Sequence, residues 1–294
     1  MSDIILVTGA SGHLGRAIIN HLLDSQGVAP SRIIAGSRDT SKLADLAAKG
    51  VTVRTVDFDD ADLSKAFAGA DTVMLVSTDA LDGAGTRLRQ HKAAIAAAKQ
   101  AGAKRIGYAS LPNADTSKVS FAPDHLGSEQ AIKATGVTYL IFRNNWYSEN
   151  LFMSLPQAVK SGQWYTSAAD GRTAFVARDD IAAAIAGALA NPPASSVTYT
   201  LTGAEAFTND EVAALASEII GKPIQVVHLT DEQLAGGMKA AGVPDAYIPT
   251  FVSFDTAART GGLATVTGDV GKLSGRKPQP LAAFLTENKA ALAG

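Results

Sequence analysis

Short apolar runs alternate with stretches of helical periodicity along the first half of the chain. Ile4-Ile5-Leu6-Val7 reads as a buried strand, and Leu14, Ile18, Ile19, Leu22 and Leu23 then recur at helical spacing. A second strand follows at Arg32-Ile33-Ile34-Ala35-Gly36, then a helix over 40–49 closed by Gly50, then a third strand over 51–56. Further strands are predicted over 72–77, 105–110 and 139–143, separated by an alanine-rich helix around 92–101 and another near 123–134. Strands of this kind, each followed by a helix, imply a parallel sheet covered on both faces.

Beyond about residue 150 the alternation breaks, with Pro156, Pro192-Pro193, Pro244, Pro249 and several glycine pairs interrupting the regular elements. One segment returns to the sheet, because Val197-Thr198-Tyr199-Thr200-Leu201-Thr202 alternates apolar and hydroxyl residues before Gly203. Thr208-Asn209-Asp210-Glu211 reads as a capping box that starts another helix. The expected class is therefore α/β, a Rossmann-type doubly wound parallel sheet with a smaller, mostly helical substrate lobe. The core is expected over 1–150 with 175–203 returning to it, and the lobe over 151–174 and 204–294.

Composition narrows the chemistry. The chain has 294 residues, 46% of them hydrophobic, with a net charge of -2 and no cysteine, which removes thiolate nucleophiles, disulfides and cysteine metal sites. The near-neutral balance gives no field for nucleic acid or an anionic membrane. The first strand begins within three residues, no basic apolar leader precedes it, and no apolar stretch reaches spanning length, so a cytoplasmic location is expected. His13, His21, His91, His125 and His228 are scattered without metal-ligand spacing, so no metal site is expected. Arg178-Asp179-Asp180 reads as capping and lobe docking, and Lys272 and Arg276 as surface charges.

Between the first strand and helix stands Val7-Thr8-Gly9-Ala10-Ser11-Gly12-His13-Leu14-Gly15, with glycines spaced G-x-x-G-x-x-G. In such a loop Gly9 permits the tight turn, Gly12 lets backbone approach a pyrophosphate, and Gly15 lets the helix pack against the sheet. The start of the helix, with Ser11, His13 and Leu14, offers free N–H groups to the anion. The second strand ends in Ser37-Arg38 instead of an acidic residue; a guanidinium binds a 2'-phosphate through charge-assisted hydrogen bonds, which favours NADP(H). Asp57-Phe58 at the end of the third strand is a candidate adenine contact, and Ser77 and Ser110 at later strand ends complete the expected cofactor set.

The loop and its setting resemble the short-chain dehydrogenase/reductase superfamily, but the Tyr-x-x-x-Lys pair of many of those enzymes is missing. At the corresponding place the chain reads His125-Leu126-Gly127-Ser128-Glu129. That departure resembles the NmrA-like branch, in particular its bacterial quinone reductases and triphenylmethane dye reductases. The likeness is carried by the glycine loop, Ser37-Arg38, Ala114-Asp115-Thr116-Ser117, Asp124-His125 with Glu129, Gly242-Val243-Pro244-Asp245, and most specifically Arg143-Asn144-Asn145-Trp146-Tyr147-Ser148-Glu149-Asn150.

The resemblance implies an NADPH-dependent oxidoreductase that passes a hydride to a quinone or similar planar electrophile without a Tyr-Lys pair. Substrate contacts are expected from Tyr108, Asn144, Trp146 and Tyr147, and the candidates for a catalytic role are Ser110, His125 and Tyr147. Two alternatives stay open: a redox sensor that binds NADP(H) without turnover, and a reductase of an aldehyde, imine or cationic dye. A homodimer is left open as the assembly.

Overall fold

The computed structural model describes residues 3–81 and 85–293. Its strands are β1 (Ile5–Val7), β2 (Ile33–Ser37), β3 (Thr52–Thr55), β4 (Thr72–Leu75), β5 (Arg105–Ser110), β6 (Thr138–Asn144), β7 (Gln163–Thr166), β8 (Val197–Leu201) and β9 (Gln225–His228). Seven of them form one parallel sheet in the order β3-β2-β1-β4-β5-β6-β8, and β7 pairs with β9 in a small parallel sheet of its own. β1, β2 and β4 are buried along their whole length, as unbroken apolar runs in a doubly covered sheet should be. The strand predicted over 72–77 stops at Leu75, because the Val76 N–H turns to the Thr8 hydroxyl (2.9 Å).

The helices in the first half are α1 (His13–Asp24), α2 (Ala44–Ala48), α3 (Leu63–Ala66), α4 (Thr86–Gln100) and α5 (Ala122–Ala134). Those that follow are α6 (Leu155–Ser161), α7 (Arg178–Ala190), α8 (Asn209–Ile220), α9 (Asp231–Ala240), α10 (Ile248–Arg259), α11 (Asp269–Ser274), α12 (Leu281–Glu287) and α13 (Lys289–Ala293). One face of the large sheet packs on α1, α2, α7 and α11, with Ile18, Ile19, Leu22, Ile181 and Ile185 in its core; the other packs on α3, α4 and α5 around Phe67, Ile95 and Ile132. The helix predicted over 40–49 is a single 3-10 turn over Thr40–Leu43 running into α2, because the Asp39 carboxylate caps the turn through the Ser41 N–H.

The chain after β6 builds a third core from α6, α8, α12 and α13 around Trp164, Phe175 and Phe284. The capping box of α8 has both bonds: Glu211 N–H to the Thr208 hydroxyl (3.2 Å) and Thr208 N–H to the Glu211 carboxylate (2.9 Å). A second box, Thr230 with Gln233, starts α9.

At α7 the structure corrects the capping half of the expectation and keeps the docking half. Arg178-Asp179-Asp180 does not cap this helix; both oxygens of Glu149 receive the Arg178 N–H at 3.1 Å. The two aspartates dock the carboxyl-terminal segment instead, Asp180 accepting the Gln279 N–H (2.6 Å) while Arg276 reaches Asp179 (2.6 Å) and Asp180 (3.1 Å). Arg276 is therefore a tie between segments, not a free surface charge.

Candidate active site

The sheet reverses its winding between β1 and β4, and a parallel sheet presents its binding crevice at that point, beyond the strand ends. The glycine loop stands there. Gly9 has φ +61°, a left-handed conformation that favours glycine, beside Val76 just past β4. Gly12 occupies the N-cap of α1 with no side-chain bond to the helix start, and no acidic residue stands in the first turn, so the positive end of α1 faces the crevice uncompensated. A Cβ at Gly15 would stand 2.3 Å from the Gly9 carbonyl oxygen, so the close seating of α1 on the loop requires glycine.

Around the loop, Ser11 and His13 are exposed, whereas the Leu14 side chain is buried in the core and offers the crevice only its backbone N–H. The buried Ser37 hydroxyl donates to the Ser11 hydroxyl (2.8 Å), tying the ends of β1 and β2. Arg38 extends into solvent with 69% of its side chain exposed, 3.9 Å from Asp79. Asp57 spends one carboxylate oxygen on a turn, accepting the Asp59 N–H (3.0 Å), and the Phe58 ring is core, packed in the cluster that includes Phe67. Ser77 is half-buried past β4. Next to it the Thr78 hydroxyl is buried without a hydrogen-bond partner, while the Thr78 N–H donates to His91 Nε2 (3.1 Å).

The place of the missing Tyr-Lys pair is filled by a buried ionic network. Ser110 donates its hydroxyl to Glu129 Oε1 (2.7 Å), and Arg143 from β6 grips both oxygens of the same carboxylate at 2.9 and 2.8 Å. Glu129 is fully buried, and Ser110 nearly so. This corrects the assignment of Ser110 to catalysis or cofactor contact, because its one donor is committed inside the protein.

Tyr108 and His125 are corrected in the same way. Tyr108 is fully buried, its hydroxyl hydrogen-bonded with His125 Nδ1 (2.8 Å) and its ring against His91 and His125. His91 accepts from Thr78 through Nε2, so its Nδ1 carries the proton and donates to Ser128 Oγ (2.8 Å), which donates on to the Asp124 carbonyl (2.6 Å). Burial and the nearby Arg87 guanidinium hold His91 down to about 3 and His125 well below the usual histidine range, so both are neutral. Burial pushes the Tyr108 hydroxyl well up.

At the exit of β6 the chain places the aromatic segment. Asn144 is buried, its Oδ1 has no hydrogen-bond partner and its Nδ2 reaches Tyr147 Oη only at the long distance of 3.5 Å. Asn145, not singled out from the sequence, locks the backbone by accepting the Trp146 N–H (2.7 Å) and donating to the Leu263 carbonyl (3.0 Å). Trp146 packs on Phe254 at 4.5 Å between ring centres. Tyr147 turns the other way, half-buried against the sheet core with the Arg178 guanidinium 5.0 Å over its ring. Burial raises its hydroxyl above the ordinary tyrosine value.

Trp146 opens onto a cavity of about 910 Å³ that sequence reasoning did not foresee, and Tyr147 is not among its lining residues. Its walls come from separate stretches of chain between Trp146 and Leu263, with Trp164, Phe175, Met238, Phe251 and Phe254 among them. Asp255 lines it too; burial pushes its carboxyl up, and hydrogen bonds from Thr166 and Ser167 pull it back. Among the described residues no group of side chains is placed to hold a metal ion, and no helix is long and apolar enough to cross a membrane.

The chain is similar to known proteins over nearly its whole length. A model of the NmrA-like family matches residues 1–279. The chain is 36% identical over 280 residues to quinone oxidoreductase 2 of Escherichia coli, covering 95% of this chain and 96% of that one. It superposes on the crystal structure of an Escherichia coli NADPH-dependent quinone oxidoreductase complexed with NADPH with a TM-score of 0.91 and 34% identity, over 99% of this chain and 100% of the other. The triphenylmethane reductase of Citrobacter sp., complexed with NADP(H), superposes with a TM-score of 0.89 and 32% identity, over 96% and 99% of the two chains.

Proposed function

The chain belongs to the NmrA-like family, and on that premise we propose that it is an NADPH-dependent reductase of quinones or similar planar electrophiles. The observation that carries the proposal is the pairing of an uncapped, glycine-lined helix start at the sheet's switch point with a large aromatic cavity entered past Trp146.

The residues fit the cofactor. The N-terminus of α1, with Gly9, Ser11, Gly12, His13, Leu14 and Gly15, would hold the pyrophosphate on backbone N–H groups. Arg38 would take the 2'-phosphate, for which the exposed guanidinium is free to turn from Asp79, while Ser37, its buried hydroxyl given to Ser11, would hold the loop beside it. The unpartnered Thr78 hydroxyl and Asn144 Oδ1, each buried at a strand end, are a donor and an acceptor for the nicotinamide half. When bound, NADPH supplies a hydride.

The chain's own part in the reaction is placement. Trp146 and Phe254, their rings tilted 55° to each other, would give a planar acceptor an apolar wall beside the transfer. A quinone is electrophilic enough to need no Tyr-Lys acid. Asn144 would orient the acceptor or the cofactor amide, and Tyr147 would act through it, supporting Asn144 from behind. The cavity would lie between the core, which contributes Trp146 and Phe175, and the smaller lobe, 151–174 and 204–294, although α11 of that range packs on the large sheet.

The test is nucleotide oxidation with menadione as acceptor. NADPH loss is expected to depend on the quinone, and Arg38→Ala is expected to raise the KM for NADPH by about tenfold while leaving that for NADH unchanged, the scale of one exposed charge-assisted contact. No turnover with any planar acceptor would overturn the proposal.

A further inference from the structure

The chain just past β4 is irregular, and its backbone is held by side chains at alternate residues. The Val76 N–H donates to the Thr8 hydroxyl (2.9 Å), the Thr78 N–H donates to His91 Nε2 (3.1 Å), and the Ala80 carbonyl accepts from Arg87 Nε (3.1 Å). Arg87 and His91 both come from α4, four residues apart and both buried, so one face of that helix grips the segment.

His91 is itself anchored. Its Nδ1 donates to Ser128 Oγ (2.8 Å), Ser128 donates to the Asp124 carbonyl inside α5 (2.6 Å), and Tyr108 Oη stands 3.2 Å from the same nitrogen. The imidazole thus joins two helices to one backbone N–H. Burial keeps the ring neutral, which leaves Nε2 able to accept.

The residue fixed in this way, Thr78, has a buried hydroxyl without a hydrogen-bond partner among the described residues. A side chain whose backbone is pinned while its own donor is unspent is prepared for a ligand. Its place in the sheet says which part of the ligand. β2, which leads to Arg38, and β4 flank β1 on opposite sides. A dinucleotide with its 2'-phosphate at Arg38 and its pyrophosphate on the glycine loop therefore brings its nicotinamide half to the end of β4.

We propose that His91 is a positioning residue for the cofactor, holding Thr78 so that its hydroxyl meets the nicotinamide half. The inference rests on reading the crevice as the NADPH site and goes beyond it, giving a role to a fully buried histidine that acts through another residue.

Two substitutions separate the two bonds of the ring. The amide of His91→Asn reaches as far as Nδ1 and can keep Ser128, but it leaves the Thr78 N–H without an acceptor. The amide of His91→Gln reaches as far as Nε2 and can replace that acceptor. Full-length wild type, these two variants, His91→Leu, Thr78→Val and the Thr78→Val doubles would be titrated calorimetrically with NADPH. The second probe is adenosine 2',5'-bisphosphate, which carries the 2'-phosphate but no nicotinamide.

His91→Asn and His91→Leu are each expected to weaken NADPH binding by about tenfold, the scale of one hydrogen bond, while the bisphosphate changes by less than about twofold. His91→Gln is expected to hold NADPH within about threefold of wild type. In the Thr78→Val background the loss from His91→Asn or His91→Leu should shrink below about twofold, because the hydroxyl they would misplace is gone. Equal losses for both ligands, an unchanged NADPH affinity, or a full tenfold loss on top of Thr78→Val would overturn the proposal. His91→Asn and His91→Leu differ in shape and polarity, so the test does not depend on the folding of either one. Wild type that binds neither ligand would overturn the cofactor reading and this inference with it; wild type that binds both beside unaffected variants overturns this inference alone.

Discussion

Replacing Glu129 by glutamine keeps its volume and removes its charge at the centre of the network that stands where a catalytic pair was missing. The carboxylate takes three donors, the Ser110 hydroxyl at 2.7 Å and two Arg143 N–H groups at 2.9 and 2.8 Å, with Lys133 Nζ at 3.8 Å. Glutamine offers one oxygen and turns N–H groups toward a cation, so at least one Arg143 donor is left facing a donor. Breaking a buried pair from one side costs about 3–5 kcal/mol. Arg143 retains 20% exposure and a contact with Asp115 at 3.4 Å, which places this case at the low end, near about 3 kcal/mol. For a chain of 294 residues, at about 2.1 cal/mol/K of unfolding entropy per residue, that is a fall in Tm of about 5 °C.

Ser110→Ala removes one donor and is expected to lower Tm by about 2 °C, corresponding to about 1–1.5 kcal/mol, with kcat for quinone reduction within about threefold of wild type. The assay is thermal unfolding beside steady-state NADPH oxidation for both variants and their double. A Ser110→Ala protein with unchanged Tm and a kcat lowered by about a hundredfold would refute the argument, since it would make the hydroxyl a proton donor to substrate.

His91 and His125 are held neutral, His91 down to about 3, so between about pH 6.5 and 3 the unfolded chain takes up protons that the folded chain does not. Stability is therefore expected to fall as pH drops through that window, by up to about 1.4 kcal/mol per pH unit for each histidine, a slope that urea midpoints at successive pH values measure and that His91→Gln should flatten. A midpoint unchanged between about pH 7 and 5 would contradict the neutral assignment. Gly15→Ala puts a methyl 2.3 Å from the Gly9 carbonyl oxygen, where only backbone can move. It should cost about 1–3 kcal/mol in a urea titration and weaken NADPH binding by more than about tenfold, because the cradle shifts with α1; binding at wild-type strength would show that the loop's shape does not set affinity.

What could be read from the chain, and what could not, divides by where each residue finds its partner. The strands were legible because a buried parallel strand is written in its own consecutive residues, and β5 was placed residue for residue at 105–110. The box at Thr208 and Glu211 was legible because both partners lie within one turn. Ser110 misled because it is a hydroxyl at a strand end whose partner is 19 residues on, on another element, and the arginine that completes the site is 14 residues further along the chain. Arg276 misled over a longer span, its partner Asp179 being 97 residues away. The cavity was least legible of all, since residues as far apart as Trp146 and Leu263 share its wall and no spacing links them. Asp255 is a further case. Within its own helix it is an aspartate one turn from an arginine, which reads as a solvated helix pair. Only the fold gives that arginine to Asp231 and sets Asp255 in the wall of the aromatic cavity. On the proposed reading, cofactor recognition is local in sequence, carried by one loop and one strand end, whereas the cavity proposed for the acceptor is assembled from distant segments. Substitutions along α10 and around Trp164 would then change the acceptor without disturbing the glycine loop.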